Sequence, residues 1–158
     1  MNHDLQTDMQ TDSNALGMYI SAIYRHLQIL VSDDLEEYNI GSGQLSFLLA
    51  IATTEGISQK KLSEELLIDK TTTAKAIRKL EAEGYVRREV DRSDKRYQML
   101  YLTDGGKEVV PKIEEKLEKI TRQSLTGINN EELKVMMSGL KKVLQSVSNQ
   151  VNEIRKNR

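Results

Sequence analysis

The sequence predicts a mainly α fold interrupted by one small β-hairpin. Three observations carry this. Aromatic residues make up only 4% of the 158 residues, with one Phe and no Trp, against 30% charged residues. That mix suits long amphipathic helices better than a β-sandwich. Pro111 is the single proline, so few segments are barred from helix. Apolar residues recur at three- and four-residue spacing along most of the chain, and two short strand-like runs interrupt them between residues 85 and 102.

Residues 1–13 show no hydrophobic period and are expected to form a disordered tail. Residues 14–56 are expected to hold N-terminal helices. In the first of these, Leu16, Ile20, Ile23, Leu27, Leu30, Val31 and Leu35 trace an amphipathic helix ending near Tyr38. Gly41, Ser42 and Gly43 form a turn whose G-x-G lacks the preceding strand and third glycine of a phosphate-binding loop. Ser42 is expected to cap a second helix through Leu45, Leu48, Leu49 and Ile51, stopping near Gly56.

Ser58 can cap a third, short helix carrying Leu62 and Leu66. Asp69 can cap a fourth with Thr73, Ile77 and Leu80 inward, ending at Gly84. The runs 85–90 and 97–102 flank the polar loop Asp91-Arg92-Ser93-Asp94-Lys95-Arg96 and read as a hairpin. Thr103 can cap the fifth helix, through Val109, Val110, Ile113, Leu117 and Ile120, with a kink expected at Pro111. Residues 127–130 break the pattern, and Asn129 with Glu132 resembles a capping box. The last helix carries Leu133, Met136 or Met137, Leu140, Val143 or Leu144, Val147, Val151 and Ile154 in a near-heptad seam. At roughly 36 Å it displays more apolar surface than a small domain covers, so residues 104–158 are expected to dimerise.

Composition removes several function classes. Without cysteine there are no disulfides, thiolate metal sites or thiol-based redox sensing. His3 and His26 are the only histidines, and no His and carboxylate cluster for a metal can be assembled from the sequence. No nucleophile has a His base, so neither an enzyme nor a cofactor is expected. No run approaches the roughly 18 apolar residues of a membrane span, and the acidic start is unlike a signal peptide. A cytoplasmic protein without membrane contact is expected.

The net charge of −1 disguises an uneven distribution. Residues 1–56 carry −7 with Arg25 as the single base, and residues 57–69 carry −1. Residues 70–96 carry +4 and residues 97–158 carry +3. A basic segment in a neutral chain is a local electrostatic footprint for nucleic acid.

That segment coincides with two short helices linked tightly at Leu67-Ile68-Asp69, the pattern of a helix-turn-helix whose second helix enters the major groove of double-stranded DNA. Its outward positions are Lys70, Thr71, Thr72, Ala74, Lys75, Arg78 and Lys79. Thr hydroxyls and early cations can reach base edges, while later cations suit phosphates. In the hairpin loop, Arg92, Lys95 and Arg96 can reach the flanking minor groove, whose negative potential draws arginine. Asp94 can brace Arg96 through a charge-assisted hydrogen bond. Residues 57–103 therefore read as a winged helix-turn-helix, flanked by dimerisation helices. A winged-helix module that binds another protein is the alternative, and it would need exposed apolar residues on the fourth helix in place of Lys and Thr.

The series Ser-Gln-Lys-Lys-Leu-Ser-Glu-Glu-Leu-Leu-Ile, then Asp-Lys-Thr-Thr-Thr-Ala-Lys-Ala-Ile-Arg-Lys-Leu-Glu-Ala-Glu-Gly-Tyr-Val, Asp-Arg-Ser-Asp-Lys-Arg and Leu-Thr-Asp-Gly-Gly-Lys resembles the MarR family of transcription regulators. The specific parts are Leu-Glu-x-x-Gly-Tyr-Val, the Asp-x-x-Asp-x-Arg wing and Leu-Thr-x-x-Gly. The resemblance covers about residues 14–154. It implies a homodimer built on the first, fifth and sixth helices, with one reading head per subunit. By position, Lys70, Thr71, Thr72 and Lys75 would meet the major groove, with Arg96 in the minor groove and Asp94 as its brace. Gln59 and Lys60 would lie near phosphates. The resemblance also implies a small anionic, commonly aromatic effector. Its candidate contacts are Tyr19, Tyr24, Arg25, His26 and Tyr38, with Arg25 facing the carboxylate.

Overall fold

A computed structural model describes residues 2–91, 94–95 and 97–157, with the backbone alone for residues 2–14. In chain order its elements are α1 (Asn2–Asp34), a 3₁₀ turn (Glu36–Tyr38), α2 (Ser42–Thr53), β1 (Ile57–Ser58), α3 (Gln59–Glu65), α4 (Lys70–Ala82), β2 (Val86–Val90), β3 (Gln98–Leu102), α5 (Asp104–Ser124) and α6 (Asn130–Lys156). The chain divides into two compact units, Met1–Ile120 and Thr121–Arg158. The mainly α class with a small hairpin is as expected from the sequence.

The first unit is built on one core. Leu35 and Ile40, on either side of the 3₁₀ turn that follows α1, meet Phe47, Leu48 and Ile51 of α2, Leu62 of α3, and Ala76, Ile77 and Leu80 of α4. Val86, Leu100 and Leu102 close it from the sheet, and Val109, Val110 and Ile113 from α5. The strands are antiparallel in the order β1-β3-β2, with Ile57 opposite Leu100, Val86 opposite Leu102 and Val90 opposite Gln98. β1 escaped the sequence reading, because two residues are too few to show a period of two.

Two other expectations need correction. Residues 2–13 do not form a separate tail, since their backbone runs as helix into α1. Lack of an apolar period is not a stop signal, and no Gly or Pro lies between Asn2 and Leu16 to provide one. Gly41, and not Ser42, occupies the cap of α2, where its backbone N–H donates to Gln44 Oε1 at 3.1 Å. α5 continues as helix on both sides of Pro111.

The remaining caps follow the sequence. Ser58 Oγ accepts from the Lys61 N–H at 3.2 Å, and Asn129 with Glu132 forms a reciprocal capping box. α4 ends at Gly84, where φ is +78°. There the Gly84 N–H donates to the Glu81 carbonyl and the Tyr85 N–H to the Leu80 carbonyl, both at 3.0 Å, which satisfies two of the helix's last carbonyls. Thr103 Oγ1 accepts from the Gly106 N–H at 3.0 Å to start α5. A Cβ on Gly106 would come within 2.2 Å of the Tyr85 carbonyl oxygen, which accounts for the second glycine of Leu-Thr-Asp-Gly-Gly.

The second unit holds the last residues of α5 and all of α6. α6 buries no side chain within the described chain. Its seam residues Met136, Met137, Leu140, Leu144, Val147, Val151 and Ile154 are exposed, while Leu133 and Val143 are half-buried.

Candidate nucleic-acid interface

The site is built from the turn between α3 and α4. Leu67 takes a left-handed conformation (φ +56°), and the Ile68 N–H returns to the Ser63 carbonyl at 3.0 Å, so the link is closed within three residues. Asp69 then anchors the start of α4. Its Oδ1 accepts from the Thr72 N–H at 2.9 Å and its Oδ2 from the Thr72 hydroxyl at 2.7 Å. These bonds, the hydroxyl's first, hold the Asp69 carboxyl below its ordinary range. Thr73 is buried and donates to the Asp69 carbonyl at 2.9 Å.

The three consecutive threonines are therefore not equivalent. Thr73 belongs to the core, and Thr72 gives its hydroxyl proton to Asp69, which leaves it lone pairs and a methyl group to offer. Thr71 is exposed. At about 100° per residue, Thr71, Thr72, Lys75, Arg78 and Lys79 fall within an arc of about 120°. The buried Thr73, Ala76, Ile77 and Leu80 lie on the opposite side. Lys70 is exposed but sits about 140° round the helix from Lys75, so it does not share that face.

The cations of α4 differ from those of α3. Lys60 pairs with Glu64 at 3.9 Å and Lys61 with Glu65 at 3.7 Å, so α3 balances its own charge. Lys75 and Lys79 of α4 are exposed and have no carboxylate partner among the described residues. Arg78 Nε donates to the Ala74 carbonyl of its own helix at 3.2 Å. The one carboxylate of α4, Glu81, is taken by Arg88 of β2 at 2.9 Å. A face carrying unbalanced positive charge results, fixed in direction by the core behind it.

The hairpin closes through the Asp91 N–H to the Tyr97 carbonyl (2.9 Å) and the Tyr97 N–H to the Asp94 carbonyl (3.0 Å). Asp91 Oδ1 also accepts from the Asp94 N–H at 3.1 Å, so Asp91 shapes the turn. Lys95 is exposed. Arg92 and Arg96, and with them the expected brace from Asp94, lie outside the described residues. Gln59, Lys60 and Lys95 come together with Ser58, Arg88, Tyr97 and Gln98 around an open cleft of about 340 Å³ between the start of α3 and the hairpin. Arg88 was not singled out from the sequence. Its only sequence signal is a strand position two residues after the buried Val86, a spacing that shares one face.

The effector candidates do not converge. Tyr19, Tyr24, Arg25 and His26 are all exposed on α1, and Arg25 and His26 bond back to Ser21 and the Ala22 carbonyl one turn earlier. Tyr24 and Arg25 point about 140° and 240° round the helix from Tyr19, while His26 lies near the Tyr19 face. Tyr38 is half-buried beneath the Lys116 ammonium, 5.7 Å from its ring centre, and its carbonyl accepts from the Tyr85 hydroxyl at 3.0 Å. The cavity nearby, about 400 Å³, is lined by Asp33, Asp34, Glu36, Glu37 and Lys116, a poor setting for an anion. Among the described residues no group of three His, Cys, Asp or Glu side chains could hold a metal ion, and no helix is long and apolar enough to cross a membrane.

Comparison with known proteins fits this geometry. A family model described as the MarR family matches residues 38–96. An uncharacterised HTH-type transcriptional regulator of Bacillus subtilis, YybA, is 30% identical over 137 residues, covering 87% of this chain and 91% of the relative. The crystal structure of a MarR transcriptional regulator from Methanosarcina mazei is 34% identical with a TM-score of 0.80, over 86% of this chain and 98% of that one. A MarR-family regulator from Listeria monocytogenes, solved with a 26-mer DNA, is 29% identical with a TM-score of 0.82, over 88% and 93% of the two chains. These relatives are named as transcriptional regulators and not as enzymes.

Proposed function

The chain belongs to the MarR family of transcriptional regulators, and from that premise we propose that it is a repressor that binds a pseudo-palindromic duplex operator as a homodimer. One observation carries the reading. Thr71, Lys75, Arg78 and Lys79 form an exposed face on a helix whose other side is core, and the only acid of that helix is already paired. Such a face suits a major groove, with cations on phosphates and Thr on base edges. The related Listeria regulator's complex with DNA supports this choice over a protein-docking module. Docking would call for apolar groups where α4 exposes Lys, Arg and Thr.

Arg92, Lys95 and Arg96 would follow into the flanking minor groove. Twofold symmetry would space the half-sites about one DNA turn apart, and occupancy of a promoter would repress it. A small anionic aromatic effector would draw on Arg25 and a subset of Tyr19, Tyr24, His26 and Tyr38, because these do not share one face.

Selection of bound sequences from a random duplex pool, with and without simple phenolic acids, tests the proposal. A recovered motif with twofold symmetry is expected, and its enrichment should fall when an effector is present. Failure to recover any motif would overturn sequence-specific regulation. A motif unaffected by any phenolic acid would remove the effector alone.

A further inference from the structure

We propose that Arg88 is the positioning residue that sets the angle of the hairpin against the recognition helix, so that one subunit can engage two grooves at once. This rests on the reading of the hairpin as a minor-groove contact. Along the inner face of β2 burial falls steadily: Val86 is 3% exposed, the Arg88 side chain 24% and Val90 54%. Opposite them on β3, Leu102 and Leu100 are buried and Gln98 is exposed. Arg88 therefore stands where the hairpin passes from the core towards solvent, and the residues further out border the open cleft beside α3.

At that level its guanidinium reaches three other elements. Nε donates to Glu81 Oε1 at the end of α4 (2.9 Å). Nη1 donates to Gln59 Oε1 at the start of α3 (2.9 Å) and to Gln98 Oε1 on β3 (3.2 Å). A planar, rigid fork bonded in three directions fixes an orientation that a single-point ammonium cannot. The leverage is large for so small a group. Glu89 and Val90, with Asp91 after the strand, extend about 10 Å beyond Arg88, so a tilt of about 10° there displaces the start of the loop by nearly 2 Å, which is beyond hydrogen-bond tolerance. The partners are partly exposed, so water can satisfy them if Arg88 is lost, and the fold should survive its removal.

Hydroxyl-radical footprinting of the full-length protein on the highest-affinity duplex from the random pool tests this. The native protein should protect the half-site centres and the flanking minor grooves. Arg88→Met and Glu81→Ala should both keep the central protection, lose the flanking protection and bind on the order of tenfold more weakly, with Arg88→Lys in between. Glu81→Ala guards against misfolding, since it places a strong helix former at a partly exposed position near the helix end. Flanking protection that persists in Arg88→Met would overturn the proposal. So would tighter binding by Glu81→Ala, the outcome expected if Arg88 itself gripped a phosphate. No flanking protection by the native protein would instead overturn the minor-groove reading, and this inference with it.

Discussion

The reading region around α3, α4 and the hairpin and the C-terminal helix α6 treat their apolar residues in opposite ways. In the first, Leu62, Ile77, Leu80, Val86 and Leu100 are all buried within one chain, and the outward face of α4 carries charge and hydroxyl groups. In the second, a seam of the same residue types from Met136 to Ile154 is left exposed, and only the caps are satisfied internally. Both patterns are amphipathic in sequence. The difference teaches that the first region is complete as a single chain, whereas the second is shaped for a partner, and a twofold partner is the proposal above.

The largest expected effect comes from breaking the second region. Leu140→Glu combined with Val147→Glu should abolish the dimer in sedimentation and lower operator affinity by roughly a hundredfold or more, because two linked heads lose their mutual effective concentration. A variant that stays dimeric would show that α6 is covered in some other way. Next, Leu80→Ala in the reading region should reduce unfolding free energy by about 2–5 kcal/mol, as for a buried leucine, at any protein concentration. Leu144→Ala should instead act on the concentration dependence of unfolding, as expected for a group buried only on association. Equal behaviour of the two would erase the contrast between the regions.

Smaller effects sharpen it. Asn129→Ala removes the cap that starts α6 and should cost about 1 kcal/mol in denaturant titration. Asp69 gives the reading region a weak pH dependence. Its carboxyl is held below the ordinary value, first by the Thr72 hydroxyl and then by the Thr72 N–H. The folded protein therefore binds fewer protons than the unfolded chain in that window. The contribution is complete above the unfolded value of about 4 and lost as pH falls through the lower native one. Asn keeps an acceptor but does not titrate, so the stability difference between the native protein and Asp69→Asn should narrow as pH falls, measured by urea unfolding at each pH. An unchanged difference would remove Asp69 from that role.

Most of the reading region was legible in the sequence because its signals are local. Ser58, Asp69 and Gly84 mark helix ends within one turn of their partners, and the inward Thr73, Ile77 and Leu80 follow from period alone. What escaped is non-local or too short. Arg88 meets Gln59 across 29 residues, and β1 is two residues pairing with a strand more than 40 residues later. No spacing rule announces either. The five effector candidates were grouped by residue type along one helix, yet side chains on a helix turn about 100° per residue and these face different ways. Lys70 left the recognition arc for the same reason.

The most direct test of the central claim is the salt dependence of binding. Affinity for the selected duplex should be measured between about 50 and 200 mM salt, for the native protein and for Lys75→Gln with Arg78→Gln and Lys79→Gln. A steep native slope is expected, flattened in the variant by about 0.9 for each phosphate no longer neutralised. A shallow native slope, or one that the three substitutions leave unchanged, would contradict the assignment of this face to DNA.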